Sequence, residues 1–153
     1  MTTVTQTTTQ VHQVYIKATP EQIWEAITTP AFVAQYFFGT RVESTCQVGS
    51  PIRYWSPDRS KLWGDNTVLE SDPPRRFSYT WKSLYDAELA EEEESRVTWE
   101  IEPQEGGISK LTVIHDRLDG APKTADRVSG GWMLILSGLK TLLETGKPLK
   151  NFS

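Results

Sequence analysis

The strongest constraint on how this chain can fold is a hydrophobic pattern of period two that runs from about residue 40 to residue 116. In the segment RFSYTWK, residues 76–82, aromatic rings alternate with polar side chains. Clean alternation is typical of an antiparallel sheet with one dry face and one wet face. Together with a β-rich segment near the N-terminus and the intervening turn residues, it predicts strands at 11–17, 41–46, 51–56, 62–71, 76–83, 95–102 and 109–116.

Two short helices are predicted between the first and second strands. Thr19 and Gln22 form a capping box, and Pro20 occupies the first helical position, where proline is favoured. This helix must end before Pro30, because the residue that precedes a proline disfavours the helical conformation. Pro30 then begins a second short helix, which ends near Gly39.

A long amphipathic helix is predicted near the C-terminus. From about 123 to 145 an apolar stripe recurs at helical spacing, and Gly146 follows as a stop signal. Gly130 and Gly131 lie inside this helix, where each costs about 1 kcal/mol relative to alanine. We therefore expect either a close backbone approach or free space beside Trp132.

The order of these elements predicts an α+β fold. A curved seven-stranded antiparallel sheet carries the long C-terminal helix across its dry face, and the two short helices close one end. With 153 residues the chain has the length of one domain, which we place at 11–149. Residues 1–10 are rich in Thr and Gln, and we interpret them as an N-terminal extension that either is disordered or lengthens the first strand.

The dry face predicted for this sheet is unusually rich in aromatic residues with polar tips. Tyr79, Trp81, Trp99 and His115 are all expected to point inward. Buried Trp and Tyr side chains need partners for their polar atoms, and ligand pockets are lined by aromatic walls with a few polar groups. The composition favours a cavity, and a plain aromatic core whose polar tips bond to the backbone is the alternative.

Three segments resemble a known superfamily. They are IKATPEQIWEAITTPAFVAQYF at 16–37, DPPRRFSYTW at 72–81 and SGGWMLILSGLKTLLETGKPL at 129–149. They are similar to START-like proteins, also called helix-grip, SRPBCC or polyketide-cyclase-like proteins, and within these to the activator of Hsp90 ATPase homologue branch. The resemblance implies a hydrophobic tunnel beneath the C-terminal helix. It leaves the chemistry open, because such proteins bind lipids, sterols or hormones, or shape aromatic polyketides. A glycine pair before Trp132 and an acidic insertion at 86–95 depart from the branch pattern.

On these grounds we predict that the protein binds a small hydrophobic or aromatic molecule under the C-terminal helix, in a stress-response or metabolic setting. His115 or Tyr79 would provide a polar anchor. The alternatives are a cyclase-like or dehydratase-like enzyme acting on an aromatic or polyketide substrate, and a regulator of a chaperone ATPase. The predicted ligand-binding residues are Phe37, Trp55, Trp63, Tyr79, Trp81, Trp99, His115, Trp132 and Leu136.

The sequence offers no catalytic constellation. His115 and Asp116 point to opposite faces of a strand, His12 lies near the N-terminus, and Cys46 has no activating histidine nearby. Two distant histidines and one cysteine do not form a metal site. We therefore predict no catalytic residue, no metal and no cofactor. Two inward titratable groups about 3 Å apart would instead support the enzyme alternative.

Charge and composition also limit the partners. The net charge of −4 provides no basic surface for nucleic acid, and no segment has the length of a membrane span. A single cysteine, Cys46, fits a cytoplasmic location. A homodimer through aromatic strand edges and a chaperone contact both remain open. The glutamates at 88 and 91–94 indicate either a solvated loop or an acidic recognition patch near a cavity mouth.

Overall fold

The computed structural model describes residues 8–151 and confirms the predicted α+β helix-grip fold, in which a curved antiparallel sheet holds a long C-terminal helix. Residues 1–7, most of the predicted N-terminal extension, lie outside the described residues. The strands are β1 (Gln10–Ile16), β2 (Arg41–Ser44), β3 (Pro51–Trp55), β4 (Leu62–Asp72), β5 (Arg76–Trp81), β6 (Ser95–Pro103) and β7 (Ser109–Asp116). The helices are α1 (Pro20–Thr28), α2 (Pro30–Tyr36), α3 (Ala87–Ala90) and α4 (Pro122–Thr145).

The strands pair antiparallel in the order β1-β7-β6-β5-β4-β3-β2, so β1 and β2 form the two edges of the sheet. The register places Tyr79 opposite Val97, Val97 opposite His115, and Trp99 opposite Val113. Residues directly opposite each other in an antiparallel pair point to the same face. Rings and aliphatic side chains therefore share the face that α4 covers, as the alternation predicted.

Helices α1 and α2 begin at Pro20 and Pro30, as predicted, but only α1 has a side-chain cap, because the Thr29 N-cap of α2 makes no side-chain cap bond. The Thr19 backbone N–H donates to Gln22 Oε1 over 2.8 Å, and the Gln22 backbone N–H donates to Thr19 Oγ1 over 3.2 Å. These two bonds satisfy backbone groups that a helix start would otherwise leave open. The Tyr36 hydroxyl then donates to the Ala26 carbonyl over 2.8 Å, which joins α2 to α1.

Helix α4 packs on the sheet through one apolar stripe and approaches α2 closely at Gly138. A Cβ atom placed on Gly138 would lie 3.2 Å from Tyr36 Cβ and 3.6 Å from Tyr36 Cα, so the missing side chain is what permits this helix contact. Gly130 has nothing within 4 Å of such a Cβ, and Gly131 has only the Phe38 ring, at 3.9 Å. The close backbone approach therefore occurs at Gly138, whereas the glycine pair borders free space.

The N-terminus of α4 is capped by a residue from the acidic segment. The Ala121 N-cap makes no side-chain cap bond of its own. Instead, Glu92 accepts hydrogen bonds from the Lys123 N–H at 2.9 Å and from the Thr124 N–H and hydroxyl, each at 2.7 Å. The Lys123 ammonium also pairs with Glu88 at 2.9 Å. Part of the acidic segment thus holds the start of α4, where a carboxylate is favoured by the helix dipole.

None of the helices in the part of the chain that the structure describes has both the length and the apolar character needed to cross a membrane.

Candidate ligand-binding cavity

A cavity of about 320 Å³ lies between the N-terminal half of α4, the end of α2 and the ends of β3, β4 and β5. This volume is at the lower end of the range that is usual for small-molecule sites. Its walls are almost entirely apolar, and one side opens to solvent. The lining residues are Phe37, Phe38, Thr40, Tyr54, Trp63, Gly64, Asn66, Trp81, Lys82, Ser83, Tyr85, Arg127, Val128, Gly131, Trp132 and Ile135.

Behind the cavity, the space under the middle of α4 is filled by aromatic rings. The Trp132 ring centroid lies 5.8 Å from that of Trp81, 5.6 Å from Trp99 and 6.0 Å from Phe37. These separations are within the range for favourable edge-on and tilted aromatic pairs. The free volume is therefore confined to one end of the sheet instead of running beneath the whole helix.

The nine residues predicted as the site from sequence fall into three groups. Phe37, Trp63, Trp81 and Trp132 line the cavity. Trp55 lies on the outer face of the sheet, with its Nε1 3.5 Å from Glu43 Oε1. The remaining four, all buried behind the cavity wall, are Tyr79, Trp99, His115 and Leu136.

Tyr54 and Tyr79 form one hydrogen-bonded cluster with Trp99. The Tyr79 hydroxyl accepts from the Tyr54 hydroxyl at 2.9 Å and from Trp99 Nε1 at 3.0 Å. Burial raises the pKa of Tyr79 to about 12, even though both hydrogen bonds favour the ionised form. Burial also raises the pKa of Tyr54 well above its usual value, and the neighbouring Tyr79 adds to this. Both hydroxyls therefore stay neutral at physiological pH and hold the rings in place.

His115 is a neutral structural residue in this arrangement. Its Nδ1 accepts from Trp132 Nε1 at 3.0 Å, and indole N–H groups can only donate. The ring proton therefore resides on Nε2, which lies 2.8 Å from Ser95 Oγ. Burial lowers the pKa of His115 to about 3. Both ring nitrogens are engaged, so His115 connects β7 to α4 and offers no free polar atom to a ligand.

The buried, non-aromatic polar side chains among the lining residues belong to residues that the sequence analysis did not single out. They are the Asn66 amide and the Thr40 and Ser83 hydroxyls, all in residues at most 3% exposed. Asn66 Oδ1 accepts from the Lys82 N–H at 2.9 Å. Asparagine is depleted in strand interiors, so an Asn in the middle of β4 was the signal available in the sequence.

The cavity mouth carries aromatic and cationic side chains. The Arg127 guanidinium stands 5.9 Å from the centroid of the Tyr85 ring, a cation–π arrangement, and lies 3.8 Å from Asp86. Phe38 has φ 55°, and Gly39 beside it has φ 72°. The left-handed turn that these two residues form places the partly exposed Phe38 ring at the opening, next to Gly131.

Acid–base groups are scarce around the cavity. Within residues 8–151 no three His, Cys, Asp or Glu side chains converge in a way that could hold a metal ion. The hydroxyls of Tyr54 and Tyr79 lie 2.9 Å apart and so meet the spacing expected of an acid–base pair, but both groups have raised pKa values. A group with a pKa of about 12 is poorly matched to proton transfer near neutral pH.

A long C-terminal helix held in a curved antiparallel sheet, with an apolar cavity between them, defines a START-like, helix-grip protein. The family model of activator of Hsp90 ATPase homolog 1-like proteins matches residues 17–144. The chain therefore belongs to that family. No curated protein matches the chain.

Solved structures share this fold. Protein MLL2253 from Mesorhizobium loti is 25% identical, with a TM-score of 0.74, and the match covers 90% of this chain and 97% of that one. The Aha1 dimer from Colwellia psychrerythraea is 20% identical, with a TM-score of 0.73 and coverage of 92% and 98%. DynU16, a protein of the dynemicin biosynthetic locus, is 23% identical, with a TM-score of 0.74, and the match covers 94% of this chain and 50% of that one.

Proposed function

We propose that this protein binds a small apolar or aromatic molecule in the cavity at the N-terminal half of α4, in the cytoplasm and in a metabolic or stress-response setting. The observation that carries the proposal is a cavity of about 320 Å³ whose walls are almost wholly carbon. Burial of apolar surface contributes about 25 cal/mol per Å² before the entropic costs of association. A compact ring system fits such walls better than a long acyl chain, because aromatic side chains close the cavity at its inner end.

The contact residues in this proposal are the four predicted residues that border the cavity, Phe37, Trp63, Trp81 and Trp132. Tyr79, Trp99 and His115 act from behind this wall. Their hydrogen bonds hold the rings of the wall in fixed positions. Fixed walls favour binding because less conformational freedom is lost when the ligand enters.

The two adjacent glycines of α4 provide a matched test. Gly131 lines the cavity, whereas Gly130 is exposed and has open space around it. Gly131→Leu would fill the cavity, and Gly130→Leu would add the same side chain to the same helix on its solvent side. We expect wild type and Gly130→Leu to bind the neutral fluorescent probe 1-aminoanthracene saturably. Gly131→Leu should bind it about tenfold more weakly or not at all, because the added side chain occupies space that the probe needs; a tenfold loss corresponds to about 1.4 kcal/mol.

Fluorescence titration of the three purified proteins, with circular dichroism as a check on folding, measures this difference. Absence of saturable binding to the wild type contradicts the proposal. Equal affinities for the two leucine variants would place the probe elsewhere on the protein and would contradict it as well.

A cyclase-like or dehydratase-like activity is the less favoured alternative. It would need a group that gives or takes a proton beside the substrate, and proton transfer is most efficient when the pKa lies near the working pH. The Tyr54–Tyr79 pair has the right spacing but raised pKa values, and His115 uses both ring nitrogens within the protein. A binding function needs no proton-transfer group, so it agrees better with the residues that surround the cavity.

Membership of the Hsp90-activator family favours a second candidate, a chaperone contact made by the outer surface. Stimulation of Hsp90 ATPase activity by the purified protein measures it. Because the cavity would not be part of that contact, Gly131→Leu should stimulate as well as the wild type. Native mass spectrometry of the same sample reports whether the protein forms a homodimer.

A further inference from the structure

Asn66 carries a hydrogen-bond donor that nothing in the described chain accepts. Its Oδ1 is occupied by the Lys82 N–H at 2.9 Å, which also fixes which end of the amide is nitrogen. The Nδ2 group has no acceptor among residues 8–151, although Asn66 is only 3% exposed. Among the described residues no sealed-off side-chain nitrogen or oxygen lacks a partner, so this donor is reached by solvent through the cavity. In a residue that lines a cavity, a guest molecule can supply the missing acceptor.

The surroundings of Asn66 hold this donor at the cavity wall. Within β4, Gly64, Asn66 and Val68 are buried on the inner face, between the Tyr54 side of β3 and the segment that follows β5. Gly64 forms an isolated bridge with Ser83, and a Cβ on Gly64 would lie 3.2 Å from Asn66 Nδ2. A side chain at position 64 would crowd the amide, so glycine at this position keeps the space beside the donor open.

We propose that Asn66 is the polar anchor of the cavity, and that the ligand is a compact aromatic molecule carrying a hydrogen-bond acceptor, such as a ketone or carboxylate oxygen, directed at Asn66 Nδ2. This inference rests on the proposed binding function and specifies its ligand class. Ser83 also lines the cavity. Its hydroxyl oxygen already accepts from Trp81 Nε1 at 3.1 Å, so toward a ligand this hydroxyl acts as a second donor beside Asn66. A ligand that offered only donors would leave these groups unpaired.

The polar groups of the aromatic side chains on this face are already committed to partners within the protein. Tyr54 donates to Tyr79, Trp99 donates to Tyr79, and Trp132 donates to His115. Thr40 lines the cavity from the segment between α2 and β2. Asn66 lies on a different element, β4, close to the bridge between Gly64 and Ser83. Thr40 therefore serves as a control residue that is as buried as Asn66.

The test uses two probes of the same shape. 2-Acetylnaphthalene has a carbonyl oxygen where 2-isopropenylnaphthalene has a methylene group, so only the first can accept a hydrogen bond. Displacement of 1-aminoanthracene gives the dissociation constant of each probe for wild type, Asn66→Leu and Thr40→Val. The quantity compared is the preference for the ketone over the alkene in each protein.

We expect Asn66→Leu to reduce the ketone preference roughly 3- to 10-fold, the range for one hydrogen bond, while alkene binding is retained. Thr40→Val should leave the preference close to that of the wild type. An unchanged preference in Asn66→Leu, or a loss confined to Thr40→Val, overturns the assignment but leaves the proposed function standing. Failure of both probes to displace bound 1-aminoanthracene from the wild type overturns the assignment alone, whereas failure of 1-aminoanthracene itself to bind overturns the proposed function and the assignment with it.

A measurement on the wild type tests the assignment of Asn66 as the anchor even if Asn66→Leu fails to fold. In a ¹⁵N–¹H spectrum, the Asn66 side-chain amide should shift downfield on addition of the ketone and much less on addition of the alkene. Equal shifts with the two probes would show that the amide does not donate to the carbonyl, and would overturn the assignment.

Discussion

At the scale of single residues, His115 shows how an inward-facing histidine can be entirely structural. Trp132 can only donate, so the bond to His115 Nδ1 requires the neutral imidazole. Protonation of that nitrogen would break the bond and place a charge in the core. The polar tips that suggested a ligand anchor in the sequence instead bond to one another, and Asn66, a less conspicuous residue, is left with a free donor.

His115 makes the stability of the fold depend on pH in a defined window. Burial lowers its pKa to about 3 in the folded protein, whereas the unfolded chain takes up the proton near the ordinary value of 6.5. The unfolded state therefore binds more protons below about pH 6.5, and stability is lost as pH falls from there toward 3. We expect the free energy of unfolding to drop by about 2 kcal/mol between pH 7.5 and 5.0.

Urea denaturation at the two pH values measures this loss. His12→Gln provides the control, because His12 lies on the edge strand β1 and only partial burial lowers its pKa. The loss should persist in His12→Gln and be largely absent in His115→Gln. The same pH dependence in His115→Gln and in the wild type would assign the effect to other groups.

At the scale of elements, α4 contains glycines with opposite roles. Gly138 permits the contact with Tyr36, whereas Gly130 has open space around it. Gly130→Ala should stabilise the protein by about 1 kcal/mol, since alanine is the better helix former. Gly138→Ala gains the same propensity but must displace Tyr36, which the bond to Ala26 holds in place. We expect it to be about 1–3 kcal/mol less stable than Gly130→Ala. Chemical denaturation of both variants measures the difference in the free energy of unfolding. Equal values would show that α2 moves away from position 138 at no energetic cost.

The acidic segment supplies the N-terminal cap of α4 from outside the helix. Desolvation by itself would raise the pKa of Glu92, but the hydrogen bonds from Thr124 and Lys123 together lower it. Glu92→Ala removes the acceptor for three donors and should destabilise the protein by about 1 kcal/mol, as loss of a cap does. Glu91→Ala, at a neighbouring exposed position, is the control and should change little. Comparison of the two unfolding curves tests the assignment, and equal curves would show that Glu92 does not cap α4.

At the scale of the whole molecule, sheet, helix and loops combine to leave free volume at only one end. The rings of Trp81, Trp99 and Trp132 fill the middle, and the Phe38 turn narrows the opening. A ligand in this cavity contacts β3, β4, the segment after β5 and α4 at once, so it binds the folded state only. Binding of that kind raises the stability of the entire fold.

This coupling predicts thermal stabilisation by the probe. At about 100 times its dissociation constant, 1-aminoanthracene should add about 2.7 kcal/mol to the free energy of unfolding. Differential scanning fluorimetry should show a rise in Tm for wild type and Gly130→Leu, and a clearly smaller rise or none for Gly131→Leu. An equal rise in all three proteins would place the bound probe outside the cavity.

The sequence by itself determined the local structure. Period-two alternation, the Thr19 capping box and the stripe of α4 are set by neighbouring residues, and the observed elements follow them closely. The short helix α3 and the capping of α4 by Glu92 did not follow from local pattern, since the cap joins parts of the chain 32 residues apart.

Only the tertiary structure decided which inward residues meet free space and which meet each other. Trp99 and Trp132 are both inward-facing tryptophans, yet Trp99 is enclosed behind the cavity wall and Trp132 lines the cavity. Alternation specifies the face to which a side chain points. The volume left between two packed faces depends on the distance between them and on every other ring in the space. For the same reason the free donor of Asn66 became visible only after all its neighbours had been placed.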